Sequence, residues 1–254
     1  AIQGTQWTQA NKHLRSSIWS HEGELLSAGF PKFTNAGENP EHFPMPTSLD
    51  NALVVEKVDG SLGIFDWVAG KLSCRTRGVF SYETLDNAAD FVHCIAKYPD
   101  IALYLQTNPE YSLLFEITTP NQRVVLDYGP EVDLTLIGEV AKHDYSLSSQ
   151  KHLDSTSQTI GVKRPRYFTF ASLDHLLADV KTWEGLEGCV IYSSAGMHKA
   201  KADSYLRAHR FTERVSVPNL LDIWEAQGRP AADAFKVALA RDYDHECMLL
   251  ATSL

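Results

Sequence analysis

Several charged residues interrupt segments that otherwise read as buried strands. Lys57 and Asp59 sit in Ala-Leu-Val-Val-Glu-Lys-Val-Asp-Gly, which runs from Ala52 to Gly60. Glu116 follows Leu113-Leu114-Phe115 and precedes Ile117, and Glu187 leads into Gly188-Cys189-Val190-Ile191. Lys199 and Lys201 alternate with Ala200 and Ala202. A charge in an apolar run is costly unless it is paired, hydrogen-bonded or used. Side chains two apart on a strand share a face, so Lys57 is expected to project with Asp59, and Lys199 with Lys201. Taken singly, such a lysine reads as a solvated face and such a glutamate as an edge residue. Taken in order, Lys57 with Asp59, Glu116, Glu187, then Lys199 and Lys201 form a set that shifts the balance from structural to functional charge.

The elements that must position them follow from the hydrophobic pattern. Asn35 to Ser48 is rich in turn residues, with Asn39-Pro40, Pro44 and Pro46 blocking regular structure. Strands are expected at Ala52–Val55, Leu62–Val68, Leu72–Thr76, Tyr111–Ile117, Arg123–Tyr128, Leu134–Val140 and Tyr167–Phe170. Gly188–Tyr192 and Met197–Leu206 read as paired strands around Ser194-Ala195-Gly196. Helical spacing marks Thr84–Lys97 and Leu173–Trp183, whereas Ser146–Gly161 is polar and reads as a loop or a ragged helix. Pro218–Gln227 is a short helix stopped by Gly228. Pro230 starts a second one carrying Phe235, Ala238, Leu239 and Tyr243.

Composition bounds the rest. The chain of 254 residues is 44% hydrophobic and 22% charged, near globular averages, and long enough to bury a conventional core. Its formal charge of −9 argues against a basic coat for nucleic acid, but a site needs only local positive charge. Cys74, Cys94, Cys189 and Cys247 are widely spaced and read as single buried thiols of a reducing compartment. No apolar run approaches a membrane span, no signal peptide opens the chain, and the ten histidines show no zinc spacing.

The ordered set resembles the covalent lysyl-nucleotidyltransferases, the superfamily of ATP-dependent ligases and mRNA-capping guanylyltransferases. Lys57-Val58-Asp59-Gly60-Ser61 matches the nucleophile motif. Arg75-Thr76-Arg77-Gly78, Glu187 to Ile191, and Lys199-Ala200-Lys201 resemble later motifs in their order. Leu114 to Ile117 followed by Pro120, Arg123-Val124-Val125-Leu126 and Tyr128 is similar to the third motif of the T4 RNA ligase 1 family. The run from His198 to Tyr205 and the Phe30-Pro31-Lys32-Phe33-Thr34-Asn35 segment point to the same family, and Arg15 falls where it carries a phosphate-binding Arg. The likeness spans residues 15 to 209.

That resemblance implies an α+β nucleotidyltransferase (ligase adenylation) fold, with antiparallel sheets around an ATP cleft and a small helical C-terminal tail. It implies an adenylyltransferase domain over residues 1–210 and a helical segment over 211–254, too short for the OB-fold of capping enzymes. The implied reaction is ATP-dependent joining of RNA 5′-phosphate and 3′-hydroxyl ends through lysyl-AMP and adenylylated RNA. Lys57 would be the nucleophile, its pKa lowered by Lys199 and Lys201, which also stabilise the phosphate in flight. Glu116 would hold the ribose, and Glu187 with Asp59 would offer oxygens to Mg²⁺ or Mn²⁺. Arg15, Lys32 and Arg77 would orient the leaving phosphates. Gly60 permits the turn behind the nucleophile, while Glu56 and Val190 complete the nucleotide site, Val190 sandwiching the adenine with an aromatic residue that the sequence leaves unnamed. Implied partners are RNA ends and an end-healing kinase or phosphatase, with no membrane, a cytoplasmic setting (phage or host cytosol) and a monomer. The competing expectations are a GTP-dependent capping-type guanylyltransferase and a non-catalytic RNA-end-binding module.

Overall fold

The computed structural model of the chain describes residues 5–214, 217–231 and 233–234. A small antiparallel pair, β1 (Ile18–Trp19) and β2 (Leu25–Ser27), precedes two larger sheets. The first of these is four-stranded and antiparallel. It contains β5 (Ser61–Val68), β6 (Lys71–Arg75), β7 (Tyr111–Thr118) and β8 (Asp133–Ala141), in the order β6-β5-β7-β8. The second is five-stranded, with β3 (Thr34–Asn35), β4 (Leu53–Glu56), β9 (Tyr167–Phe168), β10 (Gly188–Ser193) and β11 (Gly196–Lys201), in the order β3-β11-β10-β4-β9. Only the β3–β11 pairing in it is parallel. This is the expected α+β architecture.

Strand alternation explains how the two sheets frame a cleft. On the four-stranded sheet, Phe65, Leu113, Phe115, Ile117, Leu134 and Leu136 pack against three helices. These are α1 (Ala88–Lys97), α2 (Asp100–Thr107) and α3 (Gln150–Ile160). The alternate residues Ile64, Leu114 and Val140 form a separate cluster with Ala28 and Phe30 on the other face, so Glu116, two residues on from Leu114, shares that face. On the five-stranded sheet, Val54, Cys189, Ile191 and Ala200 pack with Leu176 of α4 (Leu173–Asp179) and with Val180. Their neighbours Val55, Val190 and Lys199 lie in one cross-strand row, since Val190 pairs with both Val55 and Lys199. That row faces the cleft.

Several expectations need correction. Ser146–Gly161 contains a regular helix, α3. Ser149 caps it by accepting a hydrogen bond from the His152 N–H, and Gly161 at φ 70° ends it. Burial of Leu153, Thr156, Ser157 and Ile160 outweighs the low helix propensity of its Ser and Thr residues. Residues 100–107, unassigned by periodicity, form α2 with Ile101 and Leu105 buried one turn apart. Arg123–Tyr128 is not a strand but part of a crossing loop between β7 and β8. The strand expected to run from Met197 to Leu206 stops at Lys201. Helix α5 (Asp203–Arg214) begins there and carries the chain through position 210. α6 (Val217–Gln227) matches the helix expected before Gly228, while Phe235, Ala238, Leu239, Tyr243 and Cys247 lie outside the described residues. Cys74, Cys94 and Cys189 are buried free thiols, and burial pushes the thiols of Cys94 and Cys189 up to about 12. No helix among the described residues is long and apolar enough to cross a membrane.

Candidate active site

Lys57 lies just beyond β4, in the turn Lys57–Gly60 that leads into β5, and its N–H donates to the Gly188 carbonyl at 2.9 Å. The turn needs Gly60: a β-carbon there would sit 2.4 Å from the Ile117 carbonyl oxygen of β7. Gly188 is required for a similar reason. It adopts φ +145°, and a β-carbon would come within 2.0 Å of the Ala200 carbonyl oxygen. These two close approaches bring Lys57, Glu116 and Glu187 together from different strands.

Glu187 is the hub. Its side chain is 3% exposed, and its two oxygens each hold a lysine: Lys57 Nζ donates to Oε2 at 2.8 Å and Lys201 Nζ to Oε1 at 2.8 Å. Lys57 therefore differs from the expectation that cations lower its pKa. Burial does push the lysine down, but the carboxylates of Glu187, Glu116 and Asp59 outweigh it and raise the pKa. The cations act instead on Lys199, whose pKa falls to about 8 through burial, then Lys201, Lys57, Lys32 and Arg15. Glu116 is pushed up to about 7, chiefly by burial, with Lys57 opposing and Glu187 and Asp59 adding to the rise.

Asp59 does not share a strand face with Lys57, because β4 ends at Glu56 and both residues lie in the turn that follows. Its buried carboxylate accepts from the N–H groups of Val125 and Leu126 at 2.9 and 2.8 Å and from the Tyr205 hydroxyl at 2.7 Å. Its own N–H donates to the Tyr128 hydroxyl at 3.0 Å. Asp59 thus pins the β7–β8 loop and α5 against the nucleophile turn, and its oxygens are already used. In this arrangement Asp59 serves the fold through three hydrogen bonds. Among the described residues there is no cluster of three His, Cys, Asp or Glu side chains able to hold a metal. An ion carried in by nucleotide phosphates would meet Glu116, which lines the cavity, and Glu187 only where it displaces a lysine from one of its oxygens.

A cavity of about 350 Å³ opens beside Lys57. One part is apolar, with Val55, Val190, Ile137 and Pro165. Phe30, Phe33 and Tyr192 supply the aromatic faces that the sequence left unnamed. The other part is cationic, lined by Arg15, Lys32, Arg77 and Lys199, and none of these forms an ion pair with a carboxylate among the described residues. Arg15 is held below the usual guanidinium range by burial and by Arg77. Glu56 lines the same cavity, but Arg166 clamps it, with Nε at 2.7 Å from Oε2 and Nη2 at 3.1 Å from Oε1. The structure therefore gathers the residues expected at the site, Glu187, Lys201 and Asp59 standing behind the cavity wall and Val190 lying opposite Lys199 in the cross-strand row. It adds Tyr128, Arg166 and Tyr205. Tyr205 lay inside the quoted His198–Tyr205 run. Arg166 had no signal beyond its place in a basic Lys-Arg-Pro-Arg stretch.

The family model for RNA ligases of the T4 RNA ligase 1 type matches residues 9–213. The chain belongs to this RNA ligase family. Among solved structures, an archaeal ATP-dependent RNA ligase (form 2) is similar at TM-score 0.61 and 13% identity, covering 93% of this chain and 68% of that one. A Naegleria gruberi RNA ligase variant (K326A) solved with ATP and Mn aligns at TM-score 0.56 and 18% identity, over 76% of this chain and 63% of that one. At such identities these show a shared fold. A curated relative, an uncharacterized protein (ORF64) of Ostreid herpesvirus 1 (isolate France), is 25% identical over 231 residues. This ligase-family chain is covered over 80% of its length by that match but spans only 54% of the relative.

Proposed function

We propose that this protein is an ATP-dependent RNA ligase that joins 5′-phosphate and 3′-hydroxyl RNA ends through a lysyl-AMP intermediate. The carrying observation is Lys57 held by Glu187 at 2.8 Å, at the edge of a cavity whose other side is a cationic cluster with no carboxylate ion pair among the described residues. An apolar, aromatic-bearing slot suits a base. Glu116 suits a ribose, because its carboxyl lies on the cleft face and also accepts the Gly60 N–H. Arg15, Lys32, Arg77 and Lys199 suit a triphosphate.

In the first step Lys57 Nζ forms a bond to the α-phosphorus as the bond to pyrophosphate breaks. The ammonium must lose a proton first, and Glu187 Oε2 is the acceptor in reach. The raised pKa means the resting enzyme keeps Lys57 protonated and inert until substrate charge alters the balance. Lys199 and Lys201 then hold the negative charge that grows on the transferring group. A divalent ion, when bound, neutralises phosphate charge. Glu116 would meet it, and Glu187 only where it displaces a lysine.

The RNA substrate is supported by the family membership, and an end-healing partner enzyme, a cytoplasmic setting, a monomeric state and the division into residues 1–210 and 211–254 belong to this same reading. The test is intact mass after incubation with ATP and Mg²⁺. A gain of about 329 Da, the mass of one adenylyl group joined to lysine, reversed by pyrophosphate and absent from Lys57→Ala, is the expected result. A gain with GTP and none with ATP would instead favour a guanylyltransferase. No adduct with either nucleotide in folded protein would overturn the proposal.

A further inference from the structure

Three cavities form a chain along one side of the molecule. The nucleotide cavity shares Lys32, Phe33 and Met197 with a smaller one of about 90 Å³. That one shares Lys12, Pro31 and Leu147 with a third of about 510 Å³, lined also by His13 and Tyr145. We propose that this groove binds single-stranded RNA next to the end being joined, with backbone phosphates on Lys12 and His13 and bases against Tyr145 and Trp19. The inference rests on the ligase reading above.

The groove is built into the phosphate cradle. The Lys12 carbonyl accepts the N–H of Lys32 at 2.8 Å and that of Arg15 at 3.4 Å, so the turn presenting Lys12 also sets two cavity cations. Its far end is aromatic: the His13 ring lies 4.7 Å from that of Tyr145, and the Trp19 ring 6.3 Å from it. Trp19 is 46% exposed, so part of its indole face is open to a stacking partner. Tyr145 adopts φ 60°, a left-handed conformation a bulky residue rarely accepts, and its buried hydroxyl has no partner among the described residues. Strain and an unmet hydrogen bond both cost stability, and they collect where a surface is shaped for binding. The acidic residue here, Asp144, is occupied locally by the Ser146 N–H at 2.8 Å and by His143 Nε2 at 3.4 Å. A groove continuous with the nucleotide site that carries Lys32 and Lys12 beside His13 and Tyr145, with Asp144 as its one carboxylate among the described residues, fits a single strand, whose bases stack and whose phosphates attract cations.

The experiment measures fluorescence anisotropy of a labelled, 5′-phosphorylated oligo(A) RNA with the full chain over a range of salt. Lys12→Ala should weaken binding and reduce the salt slope by about 0.7, one phosphate contact on a single strand. Trp19→Ala should weaken binding about 5- to 100-fold with the slope unchanged, and Trp19→Phe should restore most of it. Lysyl-AMP formation, measured in parallel, should stay at the wild-type rate in all three, since neither side chain lines the nucleotide cavity. Wild-type affinity in a folded Lys12→Ala/Trp19→Ala variant, or no RNA binding by the wild type, would overturn the groove. If the wild type forms no lysyl-AMP, the ligase reading fails on its own, while the anisotropy series still decides whether RNA uses this surface.

Discussion

The two sides of the cleft hold their lysines in opposite ways. On one side, Lys57 and Lys201 each donate to a separate oxygen of Glu187, so each ammonium has a carboxylate partner within the fold. On the other, Arg15, Lys32, Arg77 and Lys199 line the cavity with no carboxylate ion pair among the described residues. The first arrangement is stable without ligand. The second is a standing repulsion that a polyanion would relieve, which is how a binding site stores selectivity for one. Side chains of similar chemistry thus serve two purposes, decided by whether a carboxylate is within reach.

Breaking the carboxylate-partnered side should produce the largest effect. Glu187→Ala removes the carboxylate that both lysines bond to, leaving Lys57 only the more distant charges of Glu116 and Asp59. It should abolish lysyl-AMP formation and lower stability by about 3 kcal/mol, read by intact mass and urea denaturation. Glu187→Gln, which keeps one acceptor oxygen, should recover part of the stability and little of the adduct. Asp59→Ala removes the acceptor of three hydrogen bonds and should destabilise by about 2–3 kcal/mol. Chelation of divalent ions from the wild type should leave its melting temperature unchanged while stopping adduct formation, because Asp59 binds protein groups rather than a structural metal.

Smaller effects should sharpen the contrast on the cationic side. Arg77→Ala should raise the KM for ATP about tenfold, the loss of roughly 1.4 kcal/mol of charge-assisted contact. It should leave thermal stability equal or slightly higher, as relief of repulsion predicts. Lys199, lowered to about 8, supplies the smallest and most specific signal. Its folded pKa lies below the unfolded one, so the folded state holds fewer protons between about pH 8 and 10.5. The Lys199 contribution to stability should therefore rise with pH across that window. A bound polyphosphate should pull the pKa back up. Calorimetric titration of a non-hydrolysable ATP analogue near pH 8.5 should show proton uptake, and affinity should fall as pH rises further. Lys199→Met should remove both. Proton release on binding would contradict the arrangement.

The sequence alone determined the order and chemistry of the site. Lys57, Glu116, Glu187, Lys199 and Lys201 stand out because charge is costly inside apolar strands, and their order resembles one family strongly enough to imply the fold. Most strands were legible because sheets covered on both faces bury consecutive residues, which the sequence shows as continuous apolar runs bounded by turns. Helices α2 and α3 were harder, because short or Ser/Thr-rich segments owe their helicity to the sheet they cover rather than to their own propensity. Partnership was decided only in three dimensions. Nothing local says that Glu187 holds Lys57 and Lys201 at once, that Asp59 spends its oxygens on Val125, Leu126 and Tyr205, or that Arg166 clamps Glu56. Hence the sign of the Lys57 shift could not be read from the motif. The pKa of a buried lysine follows from the balance of desolvation and neighbouring charge, and the neighbours come from strands far apart in the chain.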